Sequence, residues 1–466
     1  MDLYTKIKFI TLSVYCYLLF FIFLFVYTFY QSEIVHESKQ FLYYYKYYLI
    51  FILGIIFCIL TLFLNSNKKF LFVAITSCII FLLYFYETIR FYEKDLLKLN
   101  FLKNINQEVK TNYKLKNKSK SKYEVIQDLK QSVGNDNVVP SIPPAFIIDQ
   151  TLHKPKVKNK ILPLAGVSKK ITVFCKEGEK FSIYNSDRYG FNNPDSQWEK
   201  ENVDWILIGD SFAQGSCVQP GEDIASQIRF LSKKNAISLG MSGNGPLIEL
   251  ASLKEYGFIK KPKNILWLYF ERNDLEDLKK EKKIPLLLNY LNDSFTQSLI
   301  KQQTKIDSQL NKYIENEEKN LKKNVINIDQ NEKYLSFKKI IRLQIVRDHS
   351  SLDRGLDFGL DPMFEKILIN AQNYVKQWQG NLYFIYLPDK ERYSRHNIND
   401  GNYAKRNDVL NLVESLKIPI IDIHKDLLAK HEDPLSYYAH RIFGHYSPDG
   451  YSKVADFILR NINEKK

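Results

Sequence analysis

Residues 206–215 read Ile206-Leu207-Ile208-Gly209-Asp210-Ser211-Phe212-Ala213-Gln214-Gly215, an apolar run that passes straight into a Gly-Asp-Ser turn. A serine at the carboxyl end of a buried strand, followed by a short loop and a helix, is placed to act as a nucleophile. The same turn also serves ordinary strand-to-loop corners, so the rest of the chain has to decide. Further apolar strands fall near Trp205 to Ile208, Ala236 to Leu239, Ile265 to Phe270, Leu382 to Leu387 and Ile420 to Ile423. Helical patterns such as Ile224, Ala225, Ile228 and Leu231 separate them. That alternation predicts an α/β fold, a three-layer αβα sandwich with a mainly parallel sheet. In such sheets the reactive groups gather at the carboxyl ends of strands.

Three other segments follow Ser211 in order. Ser238-Leu-Gly-Met-Ser-Gly-Asn-Gly-Pro246 comes after a short apolar stretch, Phe270-Glu-Arg-Asn-Asp274 closes another, and Gly444-His-Tyr-Ser-Pro-Asp-Gly450 opens the last helix. Taken singly, each has a plain structural use: Asn273 as a helix cap, Gly243 in a turn, His445 beside the Ser447-Pro448 helix start. Together they resemble the SGNH subgroup of the GDSL esterases, whose four blocks carry serine, glycine, asparagine and histidine in that order. The resemblance spans roughly residues 160 to 466. It implies Ser211 as nucleophile, Gly243 and Asn273 as oxyanion-hole donors with the Ser211 backbone N–H, and His445 as general base.

The chemistry asks for the same set. A serine hydroxyl needs a base to take its proton at neutral pH, and imidazole is suited to that. The tetrahedral intermediate needs hydrogen-bond donors, each worth about 3 kcal/mol of transition-state stabilisation. Gly243 leaves the approach to its N–H open because it has no Cβ. Two positions depart from the family pattern. Glu271 stands where a glycine two residues before the asparagine is usual, and Ile442 stands where an aspartate three residues before the histidine is usual. That aspartate normally orients the imidazole. Asp433 and Asp449 are the nearby acids, with Asp433 the candidate, and a backbone carbonyl or a Ser–His dyad are the alternatives.

The first ninety residues hold much of the 14% aromatic content of this 466-residue chain. Phe9 to Tyr30, Tyr47 to Phe63 and Phe70 to Tyr86 with its flanks are each suited to the ~20 residues that span ~30 Å of hydrocarbon. The first run is too long for a signal peptide, and two more follow it. Tyrosines at 27, 30, 43, 44, 45, 47 and 48 suit the interfacial belts. Basic residues divide on orientation: Lys6, Lys8, Lys68 and Lys69 favour an internal N-terminus over Lys39 and Lys46, while Arg90, Lys94, Lys98 and Lys103 argue the reverse. The dominance of the first helix tilts the expectation to an integral, multi-pass protein with a periplasmic or extracellular catalytic domain.

Residues 91–159 read as a basic flexible linker, with nine lysines against two acids between Lys94 and Lys122. Such a tract can also bind anionic lipid. Much of the excess behind the net charge of +14 sits between Lys94 and Lys122, and no nucleic-acid motif accompanies it. Pro140 to Pro144 precedes the globular part, Ile171 to Tyr184 suggests short strands, and Asp187 to Pro194 is turn-rich. Residues 276–345 form a helical insertion that could cover the site, mediate assembly or simply elaborate the surface. Cys16, Cys58 and Cys78 lie in apolar segments, and Cys175 and Cys217 could be a disulfide or two separate thiols. No metal-ligand spacing or cofactor motif stands out. The expected function is acyl-ester hydrolysis or O-acyl transfer on a cell-surface glycan or lipid through a seryl ester, with a membrane acyl-donor partner in the transfer case. The reading from another class is a catalytically impaired glycan-binding or assembly protein.

Overall fold

The computed structural model describes residues 3–35, 41–104, 120–153, 161–178, 180–349, 360–394 and 401–464. The chain divides into two units, one of residues 1–117 with 327–358 and one of residues 118–326 with 359–466.

The second unit is built on a five-stranded sheet. Three short strands precede it in the chain: β1 (Val138–Pro140), β2 (Ile171–Val173) and β3 (Ile183–Asn185). The main strands are β4 (Trp205–Gly209), β5 (Ala236–Ser238), β6 (Asn264–Phe270), β7 (Asn381–Leu387) and β8 (Ile420–Asp422), within a residue or so of the five expected. They lie in the order β5-β4-β6-β7-β8 and every pairing is parallel. All of β4 and β6 is buried, as strands covered on both faces require.

Side-chain alternation then sorts the core into two layers. Ile206, Ile208, Ile265, Trp267 and Phe384 point into one cluster with helices Pro246–Ser252, Pro362–Lys376 and Arg406–Ser415. Trp205, Leu207, Leu266, Leu268 and Ile385 point into the other, with helices Ile224–Ser232 and Pro448–Glu464. This is the three-layer αβα sandwich. Chain order reverses beside β4, the switch point at whose carboxyl edge such sheets bind ligands.

The expected linker of 91–159 is largely folded. Helix Lys122–Val133 opens with a Ser121–Glu124 capping box, β1 pairs with β2, and helix Pro144–His153 follows. Ile142, Ile147 and Ile148 are buried in the first core cluster. The apolar residues after Val138 bring these helices into the second unit, which runs from residue 118 and takes in more than the expected 160–466. The lysine-rich stretch 105–119 lies outside the described residues.

The insertion divides as well. Leu299, Ile306, Leu310 and Ile314 are buried in that same cluster, whereas residues 327–358 belong to the first unit. There, helix Gln344–His349 is capped by Glu87, which accepts the N–H groups of Ile345 and Val346, each at 2.9 Å. Tyr84 Oη donates to the Ile341 carbonyl at 3.1 Å. Among the described residues, the same unit contains three helical segments long and apolar enough to cross a membrane, Tyr4–Ile34, Tyr44–Leu62 and Ser66–Glu93. Phe23, Leu60 and Phe81 are among the large apolar side chains they expose. These features are consistent with membrane insertion.

Candidate active site

Ser211 begins the four-residue helix Ser211–Gln214 directly after β4. Asp210 caps that helix by accepting the Phe212 N–H at 2.9 Å. His445 lies just ahead of helix Pro448–Glu464, on a loop held by the Tyr438–Tyr446 bridge. Its Nε2 is 2.9 Å from Ser211 Oγ, although 234 residues separate them. Phe212 packs on the imidazole, ring centres 5.1 Å apart.

The acid partner is not the one expected. Asp433 is ion-paired with Arg441 and Asp449 with Lys453, both towards solvent. Glu177 reaches the imidazole: Oε1 is 2.7 Å from His445 Nδ1, and Oε2 accepts the His445 backbone N–H at 3.1 Å. With Nδ1–H donated to Glu177, Nε2 carries the lone pair that faces the serine. Asp433 is not the acid: its carboxylate faces solvent beside Arg441, eight residues on, and both imidazole nitrogens of His445 are taken by Glu177 and Ser211. Ile442 therefore leaves no gap, since the carboxylate comes from ahead of the nucleophile in sequence.

Glu177 sits in the turn between the antiparallel strands β2 and β3. The only signal for it in the sequence was Cys175 two residues before, whose pairing would bring that turn to the segment after Ser211. The two cysteines do form a disulfide, Cα atoms 5.0 Å apart. Among the described residues, Glu177, Cys217 and His445 have potential metal-ligand atoms within 4.8 Å of one another. The Cys217 sulfur is already bonded and the imidazole faces Ser211, so the group reads as a braced acid–base pair.

Gly243 follows β5 with φ +75°, and a Cβ there would meet the Ala145 Cβ at 2.8 Å. Both the left-handed backbone and the close helix require glycine. Asn273 follows β6, and its Nδ2 donates to Asp277 at 2.7 Å. A primary amide has two N–H donors, so a second remains. Ser211, Gly243 and Asn273 thus stand after three adjacent strands at one sheet edge. Glu271, the other departure, is buried and accepts from Arg392 Nε at 2.9 Å, Tyr386 Oη at 2.5 Å and the Asp389 N–H at 2.8 Å. It ties the end of β6 to the loop after β7.

Beneath this edge lies a group of buried acids. Burial pushes Asp210 up to about 6 and Glu281 up to about 8. Burial, then neighbouring carboxylates, raises Glu249 and Asp274 well above the usual range. Asp187, in the turn-rich 187–194 stretch, is raised to about 6 by burial. It accepts from Trp198 Nε1 and Asn193 Nδ2, and Asn193 also donates to the Ser238 carbonyl, so this stretch braces β5.

No protein-family model matches the chain, and no curated protein matches it. Among solved structures, it is similar to a lipolytic protein of the G-D-S-L family from Desulfitobacterium hafniense DCB-2, at 10% identity and a TM-score of 0.32, over 56% of this chain and 99% of that one. It is also similar to the lipase/acylhydrolase from Enterococcus faecalis, at 14% identity and a TM-score of 0.31, over 56% and 96%.

Proposed function

We propose that this chain is a membrane-anchored serine enzyme of acyl-ester chemistry, working through Ser211, His445 and Glu177. The observation that supports it most is the continuous relay of 2.9 Å from Ser211 Oγ to His445 Nε2 and 2.7 Å from Nδ1 to Glu177. Ser211 attacks the ester carbonyl and its proton passes to Nε2. Glu177 stabilises the imidazolium that results. The oxyanion takes hydrogen bonds from the Ser211 and Gly243 N–H groups and from the second amide hydrogen of Asn273. His445 returns the proton to the departing alcohol, leaving a seryl ester. It then deprotonates the acceptor, which attacks that ester and restores the serine.

With water as acceptor the reaction is ester hydrolysis. With a sugar hydroxyl it is O-acyl transfer to a cell-surface glycan or lipid, fed by an acyl donor or donor protein in the bilayer. The apolar helices favour transfer by keeping the enzyme at the surface where such acceptors lie. A cleft of about 540 Å³ lies on the flank of His445, lined by its chain neighbour Tyr446 and by Gly178, next to Glu177. The reading as an impaired glycan-binding or assembly protein drew on the missing aspartate, and Glu177 removes that ground. The Cys175–Cys217 disulfide supports a soluble unit in an oxidising compartment outside the cytoplasm.

The test is covalent labelling of the purified full chain in detergent by a fluorophosphonate, with turnover of a nitrophenyl ester. Labelling confined to Ser211, and lost in Ser211→Ala and His445→Ala, supports the proposal. An unlabelled native protein that leaves the ester intact ends it. Strong labelling with slow hydrolysis that a sugar accelerates selects transfer.

A further inference from the structure

Glu177 holds two bonds to His445 from a turn between two short strands. The strands on either side are three residues each, and they belong to a three-stranded sheet separate from the one that carries Ser211. The carboxylate and imidazole are both partly open to solvent, at 15% and 23%. A partly exposed hydrogen-bonded pair so placed does not by itself fix a chain segment.

The segment after the nucleophile supplies the missing constraint. Gly215 and Ser216 return to the Phe212 and Ser211 carbonyls and close the helix that Ser211 opens. Cys217 follows with φ +63°, a left-handed backbone rare for a residue with a Cβ. The disulfide to Cys175 fastens the Glu177 turn at that point, 42 residues away in sequence. Ser182 Oγ donates to the Val218 carbonyl at 2.6 Å, and Gln219 Nε2 donates to the Phe181 carbonyl at 3.1 Å. These bonds hold the far side of the turn and reach the near side through the Ser182 N–H, which donates to the Cys175 carbonyl at 2.8 Å, while the cystine fastens the side that carries Glu177 directly.

We propose that the Cys175–Cys217 disulfide is a positioning element for the acid: it sets the turn that carries Glu177 against the segment that carries Ser211, so that the carboxylate meets His445. This rests on the triad reading above. Removing the disulfide then lowers turnover through Glu177, with the fold and substrate binding retained.

Four full-length proteins in detergent decide it: native, C175S/C217S, E177Q and the triple variant. Nitrophenyl acetate turnover and the fluorophosphonate labelling rate are measured on each. In the native background, loss of the cystine is expected to lower kcat about 10- to 100-fold with KM within about twofold. In the E177Q background the same change is expected to alter kcat by less than about twofold, because the group it positions is gone. Equal factors in both backgrounds, or no loss in the first, overturn the proposal. Amide hydrogen exchange gives a readout that needs no activity. The His445 N–H, which donates to Glu177, exchanges faster without the cystine, while the Phe212 N–H, which donates to Asp210, does not. Unchanged exchange at His445 likewise overturns it. If the serine variant does not fold, native and E177Q proteins reduced with a phosphine and capped at the thiols give the same comparison. A native protein that neither labels nor turns over refutes the triad reading itself, whatever the exchange shows.

Discussion

The Ser211 hydroxyl has one hydrogen and two acceptors in reach, His445 Nε2 at 2.9 Å and Asp210 Oδ2 at 3.2 Å. Burial pushes Asp210 up to about 6 from its ordinary 3.8. A carboxyl raised on folding contributes stability that is complete below its ordinary range and is lost as pH climbs through about 6. Asp210→Asn keeps an acceptor for the Phe212 N–H and removes the titration. Native protein is therefore expected to lose up to about 3 kcal/mol relative to Asp210→Asn between pH 4 and 7, measured by denaturant unfolding of both at each pH. The two acids offered for His445 separate in a second prediction. Glu177→Gln is expected to lower kcat about 10²- to 10⁴-fold with KM nearly constant, whereas Asp433→Ala is expected to stay within about twofold in steady-state ester turnover. Equal effects of the two would remove Glu177 from the relay. Ser211, Gly243, Asn273 and His445 were legible because each sits in a short block with its own local chemistry. Glu177 was not, since a glutamate in a lysine-bearing turn has no local signature and acquires its role only where the disulfide places it.

Elements decide how the donors are held. The turn with Gly243 is backed by helix Pro144–His153 through Ala145, which makes that helix part of the site's support. Gly243→Ala should cost about 1–2 kcal/mol for the left-handed backbone, with a further loss from the contact to Ala145. Ala145→Gly is expected to recover the contact part, seen as partial return of both midpoint and labelling rate; no recovery would place the fault elsewhere. Helix Pro246–Ser252, which follows the same turn, is capped by the buried Glu281, accepting from the Gly245 and Leu247 N–H groups at 2.6 and 2.9 Å. The strands of the main sheet could be read as apolar runs because both their faces are buried. The helices of residues 122–153 were hidden by the basic composition around them, although the Ser121–Glu124 capping box and Ile142, Ile147 and Ile148 lay in plain view.

At the scale of the whole chain, the insertion begins in the second unit and ends in the first, the unit of apolar helices. Glu87, fully buried on helix Ser66–Asn104, caps helix Gln344–His349, and Arg347 Nε donates to Tyr47 Oη at 3.0 Å. Glu87→Ala is expected to speed hydrogen exchange at Ile345 and Val346 while the protein stays in the membrane pellet after alkaline extraction; protection unchanged would mean that the cap does not hold this helix. The sequence by itself determined what depends on local composition: three apolar stretches of spanning length, an alternation of buried strands and helices, and a serine, glycine, asparagine and histidine in order. Solvation and periodicity act over neighbouring residues, so they can be read in a line. Only the tertiary structure decided which carboxylate reaches His445, where the second unit begins and where the insertion returns. Those depend on contacts between segments 40 to 270 residues apart, such as Cys175 with Cys217, Glu87 with Ile345, and Glu177 with His445. A carboxylate's partner is set by where folding brings it, and nothing in its immediate neighbours encodes that place.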